Sequence, residues 1–81
     1  MKRISEAIVD RLLTYMGERN LTQYKLSQIS GVPFPTLKSI MQGRTKDISL
    51  KTVIMLAEGL GLKVSEFLDS ENFQIQNLII E

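Results

Sequence analysis

The segment from Leu21 to Gly43, LTQYKLSQISGVPFPTLKSIMQG, constrains the fold more than any other part of this chain. It reads as two short helices joined by a tight glycine turn. The apolar positions are Leu26, Ile29, Val32, Leu37 and Ile40. Leu26 and Ile29 stand i, i+3 and are expected on the inner face of the first helix. Ser27 is small enough to let a second helix cross closely. Gly31 can take the positive φ at which a Cβ would clash. Val32 then fills the corner, and Leu37 and Ile40 anchor the second helix from beneath. This leaves Phe34, Pro35, Thr36, Lys38, Ser39 and Gln42 on the opposite face. An ordinary helical hairpin in a core would have the same periodicity and bind nothing. A helix held on one side and bare on the other is also what enters a DNA major groove.

Composition narrows the choice. The chain has 81 residues, 43% of them hydrophobic, which suits one domain with a real core. Neither a deep ligand pocket nor a second sensing domain is expected at this length. No apolar run approaches the roughly 18 residues of a membrane span. The opening MKRISEAIVDRLL is broken by Glu6, Asp10 and Arg11 and is not a signal peptide. There is no cysteine, which excludes disulfides and thiolate metal sites and fits a reducing, cytoplasmic setting. There is also no histidine, the commonest general base and metal ligand. The carboxylates are scattered, and no glycine-rich phosphate loop occurs. Gly59 and Gly61 follow an apolar helix rather than a strand, so they read as a helix C-cap. The composition therefore predicts no enzyme, no cofactor and no metal.

The formal net charge is only +1, but it is unevenly spread. Residues 1–21 carry a net +1. Residues 22–51 carry Lys25, Lys38, Arg44, Lys46 and Lys51 against Asp47 alone, a net +4. Residues 52–81 carry a net −4. The positive charge is concentrated on the segment that holds the two-helix unit, as a phosphate-binding face requires. A chance run of solvated lysines would give the same count.

Periodicity predicts five helices. The first spans about Ser5 to Arg19, with Ser5 as N-cap and Ile4, Ile8, Leu12 and Met16 repeating at i+4, flanked by Val9, Leu13 and Tyr15. The second runs from about Gln23 to Ser30 behind Thr22 as N-cap. The third runs from about Phe34 to Gln42, with Pro33 and Pro35 at its start, where a missing N–H is harmless. GRTKDI then forms a basic loop. The fourth helix, about Leu50 to Leu60, is capped by Ser49 and closed by Gly61, with Leu50, Val53, Ile54, Leu56, Ala57 and Leu60 as its apolar face. The fifth, about Val64 to Asp69, adds Val64, Phe67 and Leu68. In the tail, ENFQIQNLIIE, the alternation of Phe73 and Ile75 with Gln74 and Gln76 suits a strand, while Leu78, Ile79 and Ile80 suit either strand or helix. The result is one all-α domain over residues 1–70, with a short C-terminal extension, 71–81.

The order LTQYKLSQISGVP followed by TLKSIMQGRTKDISLKTVIMLAEGLGLKVSEFL resembles the lambda-repressor-like, Cro-type (XRE) helix-turn-helix family. The matching points are Thr22-Gln23, Leu26-Ser27, Gly31-Val32, Leu37, Ile40, Gly43, Leu56-Ala57 and Leu60-Gly61, and the likeness extends from about Ile8 to Leu68. It implies a compact five-helix fold that binds double-stranded DNA as a transcriptional regulator, with repression the expected mode. Carried across residue by residue, it implies that Gln23, opening the second helix beside Thr22 and Lys25, contacts DNA. Phe34, Pro35 and Ser39 fall at base-reading positions, with Thr36 and Lys38 beside them. Gln42 falls at a phosphate position, and Arg44 and Lys46 follow in the basic loop. Phe34 and Pro35 depart from the polar residues common there and cannot make bidentate hydrogen bonds. They can touch thymine methyls or shape the helix start. A homodimer is expected, because one such unit reads only a few base pairs. Its contact is expected in the tail, where Phe73, Ile75, Leu78, Ile79 and Ile80 exceed the needs of a five-helix core; folding of the tail back onto the first or fifth helix is the alternative. A second function class is a protein-interaction module, such as the antitoxin of a toxin–antitoxin pair, built on the same fold. No membrane partner is expected.

Overall fold

The amphipathic stripe of the N-terminal segment forms α1, Ile4–Arg19, and buries Ala7, Ile8, Leu12 and Met16. The structure, a computed structural model, describes residues 1–80. Ser5 does not cap this helix. Arg3 takes the N-cap position, and its backbone N–H donates to Glu6 Oε1 at 3.0 Å. The Glu6 carboxylate thus satisfies an amide at the helix start and places negative charge at its positive end. At the other end Asn20 adopts φ 53°, and the Leu21 N–H reaches back to the Met16 carbonyl at 2.9 Å. That bond closes the helix end across the left-handed residue.

The second helix, α2, is Gln23–Ser30, as its signals predict. Thr22 Oγ1 accepts from the Lys25 N–H at 3.1 Å. Gly31, at φ 79°, turns the chain into α3, Phe34–Met41, which starts behind Pro33 with no side-chain cap. α4 is Leu50–Gly59, with Ser49 accepting from the Thr52 N–H, and α5 is Val64–Phe67. The last three helices stop one or two residues short of the expected Gln42, Leu60 and Asp69. In α3 and α4 the next residue becomes the cap and a glycine beyond it, Gly43 or Gly61, takes positive φ. The Arg44 N–H then bonds the Ser39 carbonyl, and the Leu62 N–H the Ala57 carbonyl, both at 2.9 Å.

The core joins Ile8, Leu12 and Met16 of α1 to Leu26, Val32, Leu37, Ile40, Val53, Leu56, Ala57, Leu60 and Phe67. Several expected core residues lie outside it. Ile29 is exposed, because α2 turns Leu26, Ser27 and Ser30 inward, and Ile29 falls about 110° from the middle of that face. Ile54 is displaced from the face of Val53, Leu56 and Ala57 by a similar angle. Leu13 is off the α1 stripe, and Ile4 and Leu50 stand at first turns with too little protein above them. Ser27 is buried and donates to the Tyr24 carbonyl at 2.6 Å. A close helix crossing joins Ser30 of α2 to Gly59 of α4. A Cβ on Gly59 would come within 2.8 Å of both Ser30 Cα and Ser30 Cβ.

Arg11 joins α1 to α5. Its Nε donates to the Phe67 carbonyl at 2.6 Å and its guanidinium to the Glu66 carbonyl at 2.7 Å and to Tyr15 Oη at 3.0 Å. Four-residue α5 thus ends on a cation, which favours its carbonyl end. The guanidinium groups of Arg11 and Arg19 both lie against the Tyr15 ring, 4.8 and 4.9 Å from its centroid.

The alternation of Phe73 and Ile75 with Gln74 and Gln76 does not form the strand it suited, and the tail folds back onto the domain. After two short 3-10 turns, Glu71–Phe73 and Ile75–Asn77, residues Leu78–Ile79 form β2. β2 pairs in parallel with β1, Lys2–Arg3, in the register Lys2 to Leu78 and Arg3 to Ile79. Phe73 packs on the core and Leu78 is buried. Ile75, Ile79 and Ile80 stay exposed, Ile75 by 75%. The last tail residue, Glu81, lies outside the described residues. Apart from this two-residue ladder the described fold is the expected all-α domain, 33 × 24 × 21 Å across.

Candidate nucleic-acid interface

The two faces of α3 differ sharply. Leu37 and Ile40 are at most 1% exposed and fix the helix from below. Phe34, Pro35, Thr36, Lys38 and Gln42 are exposed on the other side, and Ser39 is half-buried at the boundary. An eight-residue helix has too little hydrogen bonding of its own to persist alone. Its position therefore depends on Leu37, Ile40 and the buried corner residue Val32.

The start of α2 lies next to the start of α3. Tyr24 and Phe34 meet edge to face, with ring centroids 5.6 Å apart and planes at 76°. This contact brings half-buried Gln23 and exposed Thr22 and Lys25 to the same end of the unit as Phe34 and Pro35. The basic loop is drawn in by the Arg44 N–H to Ser39 bond. Arg44 and Lys46 are both exposed. Lys46 turns toward α1: with Gln42 and Gly43 it lines a groove of about 320 Å³ whose other wall holds Arg3, Glu6 and Asp10. Two carboxylates thus share a groove with Lys46 and Gln42.

Lys25, Lys38, Arg44, Lys46 and Lys51 are exposed, and among the described residues none pairs with a carboxylate at salt-bridge distance. By contrast, Lys2 pairs with Asp10, and Arg19 lies 3.7 Å from Glu18. The positive charge of residues 22–51 is thus available to an outside anion. Among the described residues no group of three or more acidic side chains could hold a metal ion. No described helix is long and apolar enough to cross a membrane.

Sequence reasoning passed over Tyr24. It is 59% exposed, beside Gln23 and against Phe34. A large aromatic one place after the helix-opening residue, off the Leu26–Ser27 face, was a signal for an exposed ring.

A short helix seated on a glycine turn, buried below and bare above, defines a helix-turn-helix domain. A family model for the Cro/C1-type HTH DNA-binding domain matches residues 4–72, and the chain belongs to that family. Membership supports a DNA-binding regulator. No curated protein and no solved structure matches the chain. The matched span reaches past α5 to the first 3-10 turn, so the start of the tail belongs to the family domain.

Proposed function

We propose that the chain is a sequence-specific DNA-binding repressor that acts as a homodimer, with α3 in the major groove. The observation that carries this reading is the division of α3 into a face fixed by Leu37 and Ile40 and a bare face of Phe34, Pro35, Thr36, Lys38 and Gln42. Gln23, at the start of α2 behind Thr22 and Lys25, is set to meet the backbone next to the groove. Arg44 and Lys46 supply phosphate contacts, which fix register without reading sequence. Ser39 and Lys38 are the polar candidates for base edges. Repression needs only that a bound domain occlude its site, whereas activation needs a further surface. The reading carries a cytoplasmic location.

Dimerisation rests on two considerations. Affinity for DNA by such units generally requires two half-sites about one helical turn apart. Ile75, Ile79 and Ile80 leave apolar surface exposed on a tail whose other apolar residues are seated, and β2 has a free edge. The same exposed residues also favour a second reading, docking of a different protein as in an antitoxin. Selection of bound duplexes from a random pool tests the leading reading. Enrichment of an inverted repeat is the expected result. Recovery of no preferred sequence at low salt would remove sequence-specific regulation.

A further inference from the structure

We infer that Tyr24 and Phe34 form a methyl-reading wedge, in which Phe34 contacts the 5-methyl group of one thymine per half-site and Tyr24 holds the ring for it. The inference rests on the proposed DNA-binding function and names what that face recognises.

The chemistry of the α3 start leaves little else for it to read. Phe34 has no donor or acceptor, and the bases offer the major groove one methyl group, that of thymine. Polar recognition by the backbone is weakened at the same place. The free amides of a helix start are its usual anion donors, but Pro35 lacks an N–H at the second position of α3 and Pro33 lacks one at its N-cap. Phe34 and Pro35, both exposed, instead make a continuous apolar surface where the helix begins.

The second observation is that this surface is held in place. An exposed phenylalanine normally samples several rotamers, and ordering it on binding costs entropy. Phe34 is 36% exposed, yet its ring meets Tyr24 at 5.6 Å and 76°, a favourable edge-to-face geometry. Tyr24 is itself 59% exposed, so the pair is not core packing that happens to reach the surface. It is a braced apolar projection at the end of the bare helix face, next to Gln23. Tyr24 is a positioning residue here, and Phe34 makes the contact.

The test uses the full chain and the best duplex recovered from a random pool. Each thymine is replaced in turn by deoxyuridine, which removes the methyl group and nothing else. At one position per half-site the replacement should weaken binding about 4-fold, the equivalent of one buried methyl group, and about 15-fold when both are replaced. Placing cytosine and then 5-methylcytosine at that position should show the methylated base bound more tightly. Phe34→Ala should bind more weakly and lose the thymine-to-uracil ratio at that position, while Phe34→Leu keeps part of it. Tyr24→Ala should shrink the ratio, and Tyr24→Phe, which keeps the ring edge, should restore it. Thermal melts of each variant separate these effects from loss of fold. A wild-type chain that binds thymine and uracil duplexes equally at every position overturns the wedge. So does an unchanged ratio in Phe34→Ala. In either case the DNA-binding reading survives, whereas failure to enrich any duplex removes both together.

Discussion

Replacing Gly59 and Gly17 by alanine should give opposite results, and the pair isolates what holds the two-helix unit in place. Both glycines lie within helices, and neither has positive φ. Around Gly17 a new Cβ would meet nothing within 4 Å. Gly17→Ala should therefore gain the helix preference of alanine, about 0.5–1 kcal/mol. For a domain of this size that raises Tm by roughly 2–8 °C. At Gly59 the Cβ would stand 2.8 Å from Ser30 Cα and Cβ and 3.0 Å from Ser30 N. Carbon–carbon contact is comfortable at about 3.5–4.0 Å, so α2 would have to retreat by roughly 0.7–1.2 Å. The obstructing atoms are backbone and Cβ, which no rotamer change can move. Overpacking of this kind costs about 1–3 kcal/mol. After the gain in helix preference, Gly59→Ala should lose about 0.5–2 kcal/mol, or roughly 2–16 °C of Tm. Scanning calorimetry or a thermal melt followed by circular dichroism reads both shifts. If Gly59→Ala melts at or above the wild type while Gly17→Ala rises as expected, the crossing of α2 and α4 is not limiting and the reasoning fails.

Three further outcomes follow from the same geometry. Leu37→Ala should destabilise the domain by roughly 2–4 kcal/mol, as truncation of a fully buried leucine does, while Lys38→Ala should leave the melt unchanged and weaken DNA binding; a thermally silent Leu37→Ala would mean that the buried face of α3 is misassigned. If a dimer makes about 6–8 ionic phosphate contacts, log affinity should fall against log salt with a slope of roughly −5 to −7, and Arg44→Ala should make the slope shallower for specific and non-specific duplexes alike; a flat response would exclude phosphate anchoring. Exchange of Ile75, Ile79 and Ile80 for threonine should convert a dimer to a monomer in sedimentation at tens of micromolar while keeping the half-site preference; a wild-type chain that runs as a monomer at that concentration would refute self-association.

Much of the fold was legible because the strongest local signals agree with one another. Thr22 and Ser49 cap the helices they precede, and Gly31, Gly43 and Gly61 take the positive φ that ends helices. The misreadings concern what lies across from a residue, which periodicity cannot tell. Ile29, Ile54 and Leu13 are as apolar as their buried neighbours, yet no element covers them. Ala7 contributes to the core unnoticed because a methyl group adds little to a hydrophobic stripe. Ser5 looked like a cap, but the Glu6 carboxylate captured the Arg3 amide and the cap lies two residues earlier. Arg11 could not be read as the tie to α5, since its acceptors are carbonyls 55 and 56 residues away. The tail was ambiguous for a similar reason: a two-residue strand is specified by its partner, Lys2–Arg3, rather than by its own sequence. At the candidate site, the exposed face of α3 could be inferred from Leu37 and Ile40, whereas the contact of Tyr24 with Phe34 needed the crossing of α2 and α3.

The same arrangement explains how so small a domain can hold α3 in place. α3 packs mainly against α2, which packs also against α4, so the register of α3 depends on α2. On one side α2 meets α4 with Ser30 backbone against Gly59; on the other, Tyr24 braces Phe34. A retreat of α2 at the first contact would therefore carry Tyr24, Gln23 and the cap at Thr22 with it. Because interiors pack to near-crystal density, such a displacement is transmitted rather than absorbed. Gly59 touches no proposed DNA contact, yet its lack of a side chain lets α2 approach closely enough for the start of α2 and the start of α3 to form one surface.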